Sequence, residues 1–162
     1  MKIQDLFENW GITGLSLSAG FLTMDWQPQP EEKQAAWELY IELLTRIATQ
    51  PLPDQDGDEA TALDSVYALF AVTRDLLKQN GRKALTFSKV AIVVLNQKIR
   101  PFTARWHRLK LCGAFDDPEQ CRQFRAELKE LQQVLRGYAS LLAQVADVED
   151  FQELAQGPLE AL

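Results

Sequence analysis

Arg100 and the chain's only histidine, His107, stand seven residues apart in Arg100-Pro101-Phe102-Thr103-Ala104-Arg105-Trp106-His107. A histidine can move a proton near neutral pH. A guanidinium can stabilise the charge that develops on a phosphate. Together these residue types suit RNA cleavage without a metal, and the plainer reading is a solvated basic cluster near a helix end. A second set is acidic. Glu38 and Glu42 lie four apart and share one face of a helix, while Glu59 and Asp64 fall near the start of the next helix. Carboxylates from two adjacent helices can hold Mg²⁺, and the plainer reading is again solvated acids. The run Asp54-Gln55-Asp56-Gly57-Asp58-Glu59 starts like a calcium loop. It has Glu59 at the sixth position, where glycine is needed, and Ser65 at the twelfth, where glutamate is needed. A turn followed by a helix cap is expected there instead. The sequence has no glycine-rich phosphate loop, no zinc pattern and no Ser-His-Asp set. With one histidine it lacks the Glu-x-x-His pairs of iron-carboxylate bundles. No cofactor and no metal are expected.

In an all-helical chain, Arg100 followed by six residues and His107 resembles the signature of the HEPN family of helical ribonucleases, an arginine followed by four to six residues and a histidine. The resemblance covers those two residues and the helical context. It implies metal-independent RNA cleavage, in a toxin or defence component, with the pair at a dimer interface. Pro101 stands where that family usually places a polar residue, which bears on the local geometry. More loosely, Glu38, Glu42, Glu59 and Asp64 resemble the metal-binding acids of helical nucleotide pyrophosphohydrolases of the MazG kind. Those show Glu-x-x-Glu followed by Glu-x-x-Asp, and here both spacings are longer.

Charge is distributed unevenly. The net charge is -6, so the chain as a whole has no nucleic-acid footprint. Yet between Asp75 and Asp116 there is no acid, while nine bases fall there: Lys78, Arg82, Lys83, Lys89, Lys98, Arg100, Arg105, Arg108 and Lys110. Phe102 and Trp106 interleave the last of these, a pattern that could bind RNA or a phosphorylated ligand. The internal reading is a cationic helix paired with acidic neighbours. Phe102, Trp106 and Leu109 keep a helical rhythm, which points to core.

These residues must be positioned by helices. A chain of 162 residues that is 46% hydrophobic fits one domain able to bury its own core. The expected fold is all-α: an antiparallel up-down-up-down four-helix bundle behind a short N-terminal segment, residues 1–29. That segment holds a short amphipathic helix, then Leu15–Ser18 and Phe21–Trp26 as a small hairpin turning at Ala19-Gly20. The main helices are expected over 31–50, 58–79, 85–110 and 118–147. Pro51 and Pro53 end the first, and Asp58 caps the second, which Asn80-Gly81 closes. Pro101 must kink or break the third near Ile99 and Arg100. Asp117, Pro118 and Gln120 start the fourth, whose seam runs Cys121, Phe124, Leu128, Leu131, Leu135, Tyr138, Leu142 and Val145. Gly137 lies off that seam and weakens the helix. The tail from Asp150, with Gly157-Pro158, is expected to be partly ordered or frayed.

The longest apolar run, Val90 to Leu95, has six residues, far short of the roughly 20 a membrane span needs. The opening Met1-Lys2-Ile3-Gln4-Asp5 does not read as a secretion signal. A cytoplasmic protein is expected, without a membrane partner, with Cys112 and Cys121 as reduced thiols. The leading functional expectation is a non-enzymatic helical interaction module. Trp10, Phe21 and Trp26 would be exposed anchors for a protein partner, with Arg105 and Arg108 as basic contacts. RNA is the second possible partner, and self-association along the last helix's seam is a third.

Overall fold

The computed structural model describes residues 1–156, and among them it has eight α-helices and no strand. They are α1 (Ile3–Asn9), α2 (Ala19–Leu22), α3 (Pro30–Leu44), α4 (Glu59–Asn80), α5 (Leu85–Val94), α6 (Arg100–Leu111), α7 (Pro118–Ala146) and α8 (Gln152–Gln156). Gly157-Pro158 lies outside the described residues. No described helix is long and apolar enough to cross a membrane.

The last long helix, α7, follows its pattern closely. Asp117 accepts the amide of Glu119 at 3.0 Å, and Pro118 fills the first turn, where a missing N–H costs nothing. Phe124, Leu128, Leu131, Leu135, Tyr138, Leu142 and Val145 are all buried, against α3 above all. The seam is thus covered within the chain, and only Cys121, at its start, is half-exposed. Asp58 caps α4 as expected, taking the Thr61 amide at 2.8 Å and the Thr61 hydroxyl at 2.7 Å. Gly81 ends α4 at φ +57, in the left-handed region that favours glycine.

The expected hairpin is absent. Ser18 accepts the Phe21 amide and starts the short helix α2, where the turn between two strands was expected. Leu15 to Ser18 is not part of any helix or strand, and its period-two pattern reflects packing of Leu15 and Leu17 on the core. At Ser16 the backbone is satisfied by one side chain in place of a second strand. The Ser16 amide donates to Gln97 Oε1 at 2.8 Å, and Gln97 Nε2 donates back to the Ser16 carbonyl at 3.0 Å. The only β-type pairing among the described residues is a single bridge between Lys2 and Asp25.

The first long helix stops six residues early, at Leu44 rather than near Gln50. The prolines do not stop it. Polar side chains capture the carbonyls of its last turns. Thr49 Oγ1 donates to the Leu43 carbonyl at 2.6 Å and Gln50 Nε2 to that of Leu44 at 2.9 Å. From α7, the buried Gln132 amide donates to the carbonyls of Ile47 and Gln50, both at 2.7 Å, and Arg136 Nε to that of Thr49 at 3.0 Å.

Pro101 acts one turn upstream. Residues Leu95–Ile99 form a π-helical turn, in which the Arg100 amide donates to the Leu95 carbonyl. Widening the turn there accommodates a proline that has no N–H to donate. The chain continues from α5 into α6 without a break.

Two contacts tie the N-terminal segment down. Trp26 is only 4% exposed, and its Nε1 donates to Glu32 Oε2 at 2.9 Å. Glu32 is equally buried, and its carboxylate also accepts the amides of Gln29, Thr86 and Phe87 at 3.0 to 3.1 Å. One carboxylate therefore closes the start of α3, caps the start of α5 and holds the Trp26 indole. Further along, the backbone of Trp10 lies directly on Gly137 of α7, where any Cβ would collide with the Trp10 carbonyl. Gly137 is a seat for this segment as well as a soft point in the helix.

The C-terminal end turns back at Asp147, in the left-handed conformation, and Phe151 packs against Trp37 and Tyr40. Asp150 fastens the turn. It accepts the Tyr40 hydroxyl at 2.9 Å, the Ser140 hydroxyl at 2.6 Å and the Gln152 side-chain amide at 3.0 Å. Burial alone would raise the Asp150 carboxyl, but the hydrogen bonds from Ser140, Tyr40 and Gln152 outweigh it and hold the group below the usual carboxylate range. A carboxyl depressed in the folded state stabilises fully above its unfolded pKa of about 3.9 and loses that contribution as pH falls through the lower folded value. Trp37 fluorescence, which reports Phe151 docking, is therefore expected to stay constant from neutral pH down to about 5 and to change only below about 4. Asp150→Asn should abolish that acid transition.

Candidate functional site

Tyr67 and Phe70, three residues apart on α4, face Arg100 and His107 on α6. The Arg100 guanidinium stacks 4.6 Å from the centroid of Phe70, and the His107 ring meets Tyr67 edge-on at 4.8 Å. Arg100 Nε also donates to Asn96 Oδ1 in the π turn at 2.9 Å. Seven helical residues separate the pair by about 10 Å along the axis. Arg100 lines a groove of about 360 Å³, whereas His107 lies outside it. The structure puts the two on one side of α6 without bringing them into one cleft.

Phe70, Arg74, Leu77 and Lys78 of α4 form one wall of this groove. Ser88, Ile92, Leu95, Asn96 and Arg100 form the other. A second depression of about 420 Å³ adjoins it through Ile92 and takes in Leu17, Phe21, Lys89 and Val93. Ile92, on the groove, is 47% exposed, and Tyr67, outside the groove beside His107, is 51% exposed. Around the groove the cations are unneutralised. Arg74, Lys78, Arg82, Lys89, Lys98, Arg100, Arg108 and Lys110 have no ion pair among the described residues, and of the acid-free stretch only Lys83 and Arg105 do. Arg105 pairs with Glu127 at 3.2 Å. The expectation of internal pairing therefore holds for two of the nine bases; of the rest Lys98 is half-buried and the other six are exposed.

Other expected site residues are placed differently. Trp26 is core, and its burial removes it from the exposed anchors. Trp10 is half-buried, its Nε1 bonded to Gln144 Oε1 at 2.7 Å. Phe21 is half-exposed beneath Lys89. Phe102 and Trp106 are buried, Trp106 completely, and pack with Phe115 and Phe124. They offer no stacking surface for bases. Glu38 and Glu42 lie over the seam of α3 with α4, where Gln34 donates to Glu38 and Arg46 pairs with Glu42. Glu59 pairs with Arg125 of α7 at 2.7 Å, and Asp64 is exposed. The four acids do not converge. Among the described residues no group of three or more His, Cys, Asp or Glu could hold a metal ion. Cys112 and Cys121 are free thiols. Burial pushes the Cys121 thiol up, and it donates to the Phe115 carbonyl.

Sequence reasoning missed Arg74, Ile92 and Asn96, and named Lys78 only as one base of the acid-free stretch. The signal for Ile92 was present in the six-residue apolar run, because one helix face cannot bury six consecutive side chains. Val90, Ala91, Val94 and Leu95 take the core, which leaves Ile92 outside. Arg74 and Lys78 stand four apart, one helical turn, and only the course of α4 beside α5 shows that they border the same groove.

No protein-family model, no curated protein and no solved structure matches the chain.

Proposed function

We propose that the protein is a non-enzymatic helical interaction module, built as an up-down-up-down four-helix bundle, that docks an acidic amphipathic helix of a partner protein along α4, α5 and α6. The observation that carries this reading is the groove between α4 and α5, with exposed Ile92 on its wall and Arg74, Lys78 and Arg100 around it without an ion pair among the described residues. A partner helix with apolar residues three and four apart would fill the groove beside Ile92. Its carboxylates would meet Arg74, Lys78 and Arg100, which speeds encounter and fixes register. RNA is disfavoured because the interleaved aromatics Phe102 and Trp106 are core.

The test is a titration with a synthetic amphipathic helix bearing glutamates on its polar face, monitored by backbone amide shifts. Shifts centred on α4 and α5 are expected, with binding that weakens as salt rises. Ile92→Glu and Arg100→Glu should each weaken it about tenfold or more. A helix of the same pattern bearing lysines should not bind, and equal binding by both peptides would sink the charge argument. In parallel, single-stranded RNA is incubated with the protein in chelator. Cleavage by wild type that disappears in His107→Ala would replace this reading with a ribonuclease.

A further inference from the structure

A separate cleft of about 630 Å³ lies between the chain around residues 51–59 and the first two-thirds of α7, and shares no residue with the α4–α5 groove. We propose that it binds a small organic oxyanion, a carboxylate or phosphate monoester on an apolar body, through Arg136 and Lys129.

The size suits a small ligand. Pro51, Leu52 and Leu128 supply an apolar lining. Four bases of α7 also line it, Arg122, Arg125, Lys129 and Arg136. Two of them are already neutralised. Arg125 pairs with Glu59 and donates to the Pro53 carbonyl at 2.7 Å, and so fastens the loop. Arg122 pairs with Glu119.

The other two are not. Lys129 is exposed and has no ion pair among the described residues. Arg136 is half-buried and has none either; its Nε donates to the Thr49 carbonyl, and its terminal nitrogens have no hydrogen-bond acceptor among the described residues. Burial lowers the pKa of its guanidinium with no nearby acid to offset it. The acids on the cleft are Glu59, committed to Arg125, and Asp54, exposed on the loop. A partly buried cation without a counterion is costly to the fold. Capping one carbonyl does not require it, because one amide or ammonium donor would suffice. A guanidinium adds a planar fork that takes two oxygens of one anion. The Nε bond also fixes the orientation of that fork before any ligand arrives.

The test uses phenyl phosphate and benzoate as probes and phenol as the neutral control, each followed by amide shifts up to roughly ten millimolar. At least one anion should shift residues 51–59 and 122–136 saturably, and phenol should not. The phosphate and carboxylate arms show which oxyanion the cleft prefers. Arg136→Gln is expected to weaken binding about tenfold or more. Because that change also touches the turn at 45–50, Lys129→Glu provides a second reading at an exposed residue that holds nothing in place. It too should weaken the anion severalfold while the fold stays intact. Absence of shifts with either anion, equal shifts with phenol, or wild-type affinity in Lys129→Glu would overturn the proposal. No residue is shared with the α4–α5 groove, so failure of either reading leaves the other standing.

Discussion

Glu32→Ala should lower the stability of the protein by about 3–5 kcal/mol, the range for removing one partner from a buried charged network. For a chain of this length that is a fall of roughly 10 °C or more in melting temperature. The size follows from what the carboxylate does. It accepts from one indole and three backbone amides drawn from the N-terminal segment, the start of α3 and the start of α5. Alanine would leave four donors without an acceptor in a site that is 4% exposed. Each unmet buried donor costs about 1–3 kcal/mol before the site relaxes or admits water. Glu32→Gln keeps one acceptor but turns an NH₂ group toward two donors, so a loss of intermediate size is expected. Urea denaturation of both variants checks the order. A loss under about 1 kcal/mol for alanine would mean that water satisfies these donors and that Glu32 does not join the three elements.

The second large effect is expected at Gly137. Replacement of a helical glycine normally stabilises, by about 1 kcal/mol for alanine. Here the sign should reverse, because a Cβ at this site would collide with the Trp10 carbonyl, part of a backbone that cannot swing aside. Gly137→Ala should destabilise, and Gly137→Leu should cost about 3 kcal/mol, the upper end for forcing volume into a packed site. The loss should be local. Ile3, Leu6, Phe7 and Ile12, all buried in the native fold, would be released while α3, α4 and α7 stay folded. Limited proteolysis near Gly11 and the fluorescence of Trp10 report this directly. A stabilised Gly137→Ala would show that the segment is not seated there.

These two sites show where sequence reading stopped. Helix α7 was legible because its period, its capping residue and its proline agree, and the cap of α4 was legible from Asp58 alone. Those features are local. Glu32 is an acid in the first turn of α3, where it also favours the helix dipole, but three of its four donors lie outside its own helix. Gly137 read as a defect because its partner is 127 residues away. The hairpin failed for a related reason: alternation marks which side chains are buried, not what satisfies the backbone, and a glutamine amide does so here. At the candidate site, Arg100 and His107 were correctly placed on one helix. Their separation along it, and the aromatic ring each one touches, depend on α4.

The π turn at Leu95–Ile99 has a consequence for the whole of α6. One extra residue in a helix advances everything downstream by about 100° in rotational phase. The phase of α6 relative to α5 is therefore set by that single inserted residue. In the present phase Trp106 points into the core, Arg100 lies over Phe70 and His107 meets Tyr67. Deleting one residue, such as Asn96, would restore an ordinary helix and turn α6 by a quarter of a revolution or slightly more. Trp106 would leave the core, and a neighbouring basic or polar position would have to enter it. The composition of the cationic face thus depends on a spacing of one residue as much as on the lysines and arginines that form it.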